Sequence, residues 1–252
     1  MNIHRIGVVG AGTMGNGIAQ VCAAGAYEVV MTDVAQAALD RGLKTIESSL
    51  ERMVNRQKLT EADKAAALGR ISVSTETQSL RDCDLVIEAA TENAELKLKI
   101  FAQIDAVAKA GAVIASNTSS ISITRLAAAT GRPAQVIGMH FFNPVPVMAL
   151  VEIIAGLQTS EETQATVRTV AARLGKAAVN VRNSPGFVVN RLLCPMLNEA
   201  CFVLGEGLAS AREIDEAMKL GCNHPIGPLA LCDMVGLDVA LAVMDVLYDS
   251  YK

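Results

Sequence analysis

His140, Glu152 and a glycine turn near the N-terminus are the residues of this chain whose types and spacing could do chemistry together. His140 follows the apolar run Val136-Ile137-Gly138-Met139, and Glu152 interrupts the run Leu150-Val151-Glu152-Ile153-Ile154. An imidazole has an ordinary pKa of about 6.5, which suits it to take a hydroxyl proton near neutrality. A carboxylate within an apolar strand is costly to bury unless it is paired. Set beside an imidazole, it fixes the ring's tautomer and stabilises the imidazolium. The plain alternatives are a core histidine and a strand-edge glutamate facing water; the apolar flanks of Glu152 and the polar stretch near His140 favour the pair. The remaining histidines are less well placed: His4 lies at a strand start and His224 in a loop before Pro225.

The glycine turn is Gly10-Ala11-Gly12-Thr13-Met14-Gly15, entered from Ile6-Gly7-Val8-Val9 and left through Ile18, Val21 and Cys22 at helical spacing. Tyr27 to Thr32 then reads as a second strand with Asp33 at its end. In such a unit Gly10 makes the tight turn, Gly12 admits a pyrophosphate, and Gly15 lets helix approach strand. The helix N-terminus offers its unpaired N–H groups to the phosphates. Asp33 can accept both ribose hydroxyls and repels a 2′-phosphate, so NAD is expected over NADP.

Other oxidoreductase schemes lack their residues here. The Tyr-x-x-x-Lys pair of short-chain dehydrogenases is absent, and no lysine occurs between Gly186 and Glu206, where 6-phosphogluconate and 3-hydroxyisobutyrate type dehydrogenases carry one. That stretch offers Asn190, an amide able to polarise a carbonyl. Cys22, Cys83, Cys194, Cys201, Cys222 and Cys232 form no CxxC pair, so no metal site is expected and buried reduced thiols are the simple reading.

The elements that must position these groups follow from composition and periodicity. The chain has 252 residues, 51% hydrophobic but only 3% aromatic, with no Trp and a net charge of −4. That describes an aliphatic core suited to a parallel sheet covered by helices. The acidic balance and scarcity of aromatics argue against a nucleic-acid partner. No uncharged apolar run approaches the ~18 residues of a membrane span. The first strand starts almost at once, so no signal peptide is expected, and the localisation expected is cytoplasmic.

Strands are predicted at 71–73, 84–88, 113–116, 136–139, 150–154 and 178–181, alternating with helices from 35, over 93–107 and over 159–174. Capping boxes are predicted at Thr60/Asp63 and Thr159/Glu162. The segment Arg52 to Lys58 is a local basic patch, which composition alone reads as a solvated helix face. Phe141-Phe142-Asn143-Pro144-Val145-Pro146 must be irregular. After Asn183-Ser184-Pro185-Gly186 only helices are predicted: 187–204 with Pro195 inside it, one opened by Ser210 and Glu213, and one or two over 229–247. The domain boundary falls near 183, and the helical part is apolar enough to suggest dimerisation.

Five stretches together resemble the short-chain (S)-3-hydroxyacyl-CoA dehydrogenases, of the bacterial 3-hydroxybutyryl-CoA type. They are Gly10 to Gly15; Ile87-Glu88-Ala89 with Glu92; Ala115-Ser116-Asn117-Thr118-Ser119-Ser120; Gly138-Met139-His140-Phe141-Phe142-Asn143-Pro144-Val145; and Ser184-Pro185-Gly186-Phe187-Val188-Val189-Asn190-Arg191. The likeness runs over the whole chain. It implies an α/β fold, a Rossmann-like mostly parallel sheet over 1–183 that binds NAD, and a smaller all-helical C-terminal domain over 184–252 for substrate and homodimer contacts. The implied reaction is reversible oxidation of an (S)-3-hydroxyacyl-CoA to the 3-oxoacyl-CoA. By similarity His140 is the general base and Glu152 its partner, while Ser119 and Asn190 hold the substrate oxygen, with Asn143 beside them.

Gly10, Gly12, Thr13, Met14, Gly15, Asp33, Glu92 and Lys97, with Ser119 and Asn143, are the implied cofactor contacts. Ser49 and Arg56 fall where the family contacts CoA phosphates, Arg56 replacing what is often a lysine; this gives the basic patch a purpose. The family's chains usually continue a few tens of residues past the position of Lys252, including basic positions near the cofactor. Either the helical domain is trimmed or those residues are not represented in this sequence, and dimer packing and cofactor affinity are the properties this bears on. Two other readings are a structural protein keeping the fold, as lambda-crystallin does, and an NAD-dependent relative that handles no CoA. The intact set Ser119, His140, Glu152 and Asn190 speaks against the first, and the basic patch against the second.

Overall fold

The computed structural model describes residues 1–252. The chain divides into two compact units, Met1–Asn183 and Ser184–Lys252. In the first, β1 (Arg5–Val9) leads through the glycine turn to α1 (Thr13–Ala24), β2 (Glu28–Thr32), α2 (Gln36–Asn55), α3 (Glu61–Gly69) and β3 (Ile71–Ser74). Then follow β4 (Leu85–Glu88), α4 (Ala94–Val107), β5 (Val113–Ser116), α5 (Ile123–Ala127), β6 (Val136–Phe141), β7 (Leu150–Ala155), α6 (Glu161–Arg173) and β8 (Ala177–Arg182).

These strands make one eight-stranded sheet in the order β3-β2-β1-β4-β5-β6-β7-β8. Every neighbouring pair is parallel except β6 and β7. The arrangement is Rossmann-like, with the order reversing on either side of β1. Every residue of β4, β5 and β6 is buried, which is why they read as Val/Ile runs without alternation. The single antiparallel pairing has a local cause. The segment between β6 and β7 holds Pro144 and Pro146 and is too short for a crossover helix, so β7 must return alongside β6.

Two local expectations differ from the structure. Strand β6 does not stop before His140 but runs on to Phe141, because Phe141 pairs with Val151 across β7. The cap of α6 is Ser160 rather than Thr159. The Ser160 hydroxyl accepts the Thr163 N–H at 3.1 Å, while the Thr159 hydroxyl donates to the Val136 carbonyl at 2.6 Å. Thr159 is thus committed to β6 and cannot cap.

The second unit consists of α7 (Val189–Gly205), α8 (Ala211–Gly221), α9 (Pro228–Val235) and α10 (Leu237–Tyr251). Pro195 lies inside α7, and Ser210 with Glu213 forms the expected capping box of α8. Gly236, at φ 99°, breaks the chain between α9 and α10; that left-handed backbone is easy only for glycine. Asp215 of α8 caps α9, accepting the Leu229 and Ala230 N–H groups at 2.8 and 3.0 Å. Leu192, Phe202, Leu208, Leu220, Met234 and Tyr248 are exposed on this unit. No helix of the chain is long and apolar enough to cross a membrane.

Candidate active site

The carboxyl ends of β1, β2 and β4 frame the point where the sheet order reverses, the usual place for a ligand in such a sheet. A cavity of about 490 Å³ opens there, lined among others by Gly10, Gly12, Asp33, Ala89 and Lys99. Gly10 turns at φ 102°. A side chain at Gly15 would put its Cβ 1.8 Å from the Gly10 carbonyl oxygen, whereas one at Gly12 would meet nothing within 4 Å. The loop is therefore tight where helix meets strand and open where a pyrophosphate needs to approach.

Helix α1 starts from Gly12 with no side-chain cap, leaving its first N–H groups available to an anion. Asp33 holds the loop from the other side. Its Oδ2 accepts the Ala11 N–H at 2.9 Å and its Oδ1 the Ala35 N–H at 3.2 Å. The residues present thus fit a dinucleotide. Thr13 is exposed and Met14 half-buried in the first turn of α1.

Farther along the same edge, the antiparallel register sets His140 directly opposite Glu152. Both side chains are buried, 7% and 1% exposed, and Nδ1 lies 2.8 Å from Oε2. The two residues expected to pair do so. A carboxylate only accepts, so Nδ1 carries the hydrogen of this bond. The Phe142 ring packs against the imidazole at 4.5 Å between centroids, and the Phe141 N–H donates to Asn117 Oδ1 at 2.9 Å, tying β6 to the end of β5.

Glu92 gathers the polar turn after β5. Its Oε1 accepts from the Thr118 hydroxyl at 2.5 Å and from the Ser119 and Ser120 N–H groups at 2.9 and 3.2 Å. Burial alone pushes the Glu92 carboxyl up; the Lys97 charge and the donors from Thr118, Ser119 and Ser120 outweigh it and hold the group below its usual value. Glu92 thereby stays an anion with Ser119 against it.

Comparison with known proteins accords with this geometry. Residues 5–184 match the family description 3-hydroxyacyl-CoA dehydrogenase, NAD binding domain, and residues 186–252 match its C-terminal domain. The chain belongs to the 3-hydroxyacyl-CoA dehydrogenase family. A probable 3-hydroxybutyryl-CoA dehydrogenase of Deinococcus radiodurans is 52% identical over 97% of this chain and 87% of its own length. A 3-hydroxybutyryl-CoA dehydrogenase of Bradyrhizobium diazoefficiens is 50% identical over 98% of this chain and 84% of its own. The crystal structure of (S)-3-hydroxybutyryl-CoA dehydrogenase from Ralstonia eutropha superposes with a TM-score of 0.96 at 63% identity, covering 99% of this chain and 88% of that one.

The remaining family positions lie on other elements than the two strands that carry the pair. Ser49 and Arg56, seven positions apart, share one face at the end of α2, with Arg56 exposed. Asn143 is exposed in the segment after β6. Asn190 is half-buried in the first turn of α7, in the helical unit.

Sequence reasoning gave no role to Glu88, Asn117 or Lys176. Lys176 is buried, and its Nζ donates to the Val145 and Met148 carbonyls at 2.6 and 2.7 Å, clamping the segment that carries Asn143. Burial pulls the Lys176 ammonium below the usual lysine range. Glu88 carried the same signal as Glu152, a carboxylate closing an apolar run, and the same argument applied there would have found it.

Proposed function

We propose that this chain catalyses the reversible, NAD-dependent oxidation of a short-chain (S)-3-hydroxyacyl-CoA, such as 3-hydroxybutyryl-CoA, with His140 as general base. The observation that carries the reading is the buried His140–Glu152 pair, 2.8 Å apart on adjacent strands. Oxidation removes the C3 hydroxyl proton and a hydride from C3. NAD, when bound, accepts that hydride on its nicotinamide ring. His140 Nε2 takes the proton, and the charge arising on the ring is balanced by Glu152. In the reverse direction the imidazolium returns the proton to the carbonyl oxygen.

Ser119 and Asn190 donate to the substrate oxygen and hold it as it changes from hydroxyl to carbonyl. The dinucleotide is held by Gly10, Gly12, Thr13, Met14 and Gly15 through backbone, by Asp33 at the ribose, and by Glu92, Lys97, Ser119 and Asn143. Ser49 and Arg56 take the CoA phosphates, for which a guanidinium is well shaped. The exposed apolar side chains of α7 to α10 suit a homodimer contact, and the absence of any disulfide among the six cysteines suits the cytoplasm.

The test is acetoacetyl-CoA-dependent consumption of NADH by the native protein and by His140→Gln. Native turnover and a loss of about 10²–10⁴-fold in the variant are expected for removal of an acid–base group. Reduction of free acetoacetate but not of its thioester would move the substrate away from CoA. A folded native protein that turns over neither would end the reading.

A further inference from the structure

Lys176 is 8% exposed, and its main chain is rooted on both sides. Its N–H donates to the Ala171 carbonyl at 2.9 Å and the Gly175 N–H to the Ala172 carbonyl at 3.0 Å, the bonds that close α6 around Gly175 at φ 69°. Ala177, the next residue, opens β8 by donating to the Ala149 carbonyl at 2.7 Å. From this fixed base the side chain reaches back to the segment after β6, where Nζ meets the Val145 and Met148 carbonyls at 2.6 and 2.7 Å. That segment is a turn closed on Pro144, whose carbonyl accepts the Val147 and Met148 N–H groups at 2.9 and 3.0 Å. Asn143 is the residue immediately before it.

Burying an ammonium is costly, and burial pulls this one below the usual lysine range. What it returns is local. Pro144 and Pro146 have no N–H, and the turn lies outside the β6–β7 ladder, so the Val145 and Met148 carbonyls have no strand partner. Val145 is also held from the other side: it is 2% exposed, and a Cβ at Gly17 of α1 would stand 2.9 Å from its own. The turn is thus wedged between α1, the helix that starts at the glycine loop, and the lysine. We infer that Lys176 is a positioning residue, whose hold on the Val145 and Met148 carbonyls fixes the turn after Asn143 and so sets the place of the Asn143 amide. The link to turnover rests on the proposed place of Asn143 beside cofactor and substrate; the hold on the turn does not.

The experiment uses the full chain as native protein, Lys176→Met, Asn143→Ala, and the double variant Asn143→Ala/Lys176→Met. Amide hydrogen exchange at Val147 and Met148, whose N–H groups close the turn, reads the segment without any turnover. It is expected to quicken by about tenfold or more in Lys176→Met as the turn loosens. NADH-dependent turnover of acetoacetyl-CoA is expected to fall by about 10²-fold in Lys176→Met, the effect of an ångström-scale misplacement. A loss that runs through Asn143 disappears once that amide is gone, so the double variant is expected to stay within about threefold of Asn143→Ala. A lysine that only supports the fold would instead multiply its own loss onto that of Asn143→Ala.

Multiplied losses in the double variant would overturn the inference. So would native exchange rates at Val147 and Met148, or native turnover in either single variant. If Lys176→Met does not fold, Lys176→Gln, which keeps a shorter uncharged donor, carries the same measurements with the same expected and overturning results. An inactive native protein would defeat the dehydrogenase reading and the link to turnover with it, while the exchange result still decides whether Lys176 holds the turn.

Discussion

Replacing Glu152 by glutamine tests how the acid works on the base, because the side chain keeps its shape and loses only its charge. With Nδ1 and Oε2 2.8 Å apart, the centres of the imidazolium and carboxylate charges are about 4 Å apart, an attraction of about 4 kcal/mol at an effective dielectric of about 20. The amide oxygen still accepts the Nδ1 hydrogen and returns a neutral hydrogen bond of about 1 kcal/mol. The difference, about 3 kcal/mol, bears on the protonated ring and corresponds to about 10²-fold in rate. The assay follows NADH formation from (S)-3-hydroxybutyryl-CoA and NAD, the direction in which the ring gains its proton. We expect kcat to fall by about that factor with both KM values little changed, as for an interaction that strengthens in the transition state. A variant whose kcat stays within about threefold of native would show that the carboxylate does not stabilise the imidazolium, and the electrostatic reasoning would fail.

Gly15→Ala is expected to destabilise the first unit by about 3 kcal/mol, since its Cβ would stand 1.8 Å from the Gly10 carbonyl oxygen; urea unfolding measures this, and a change under about 0.5 kcal/mol would contradict the packing account. Asp84 governs part of the acid stability. Burial alone raises its carboxyl, but Lys109 and the N–H groups of Arg5 and His4 outweigh that and hold it below its ordinary 3.8. The unfolded chain then binds the proton more readily than the folded one, so this contribution is present above pH 3.8 and is lost as pH falls through the folded value. Unfolding free energy in Asp84→Asn should depend less on pH across that acid range; an unchanged pH profile would refute the assignment.

The sheet was legible because its strands are apolar β-branched runs bounded by glycine, proline and polar turns, and buried strands cannot read otherwise. Glu152 was legible for a related reason, since a charge in such a run demands a partner and His140 was the nearest suitable one. Lys97 was not. It sits in a helix with Glu95 and Lys99 exposed on either side, and nothing local distinguishes the one lysine that points inward. Its partners Glu88 and Glu92 lie on the preceding strand and loop, at 2.6 and 3.3 Å. Thr159 and Ser160 make the same point on a smaller scale. Either hydroxyl could cap α6, and only the Val136 carbonyl, supplied by the folded sheet, decides which one does.

Because His140 and Glu152 face each other across the β6–β7 ladder, their alignment is stored in main-chain pairing rather than in the segment that joins the strands. Insertions or deletions in that connection, outside the carbonyls held by Lys176, would leave base and acid where they are. A slip of one residue in the ladder would instead turn the carboxylate to the opposite side of the sheet and leave the ring alone. Diversification of this enzyme can therefore proceed by reshaping the connection, while the strand pairing beneath it tolerates no drift.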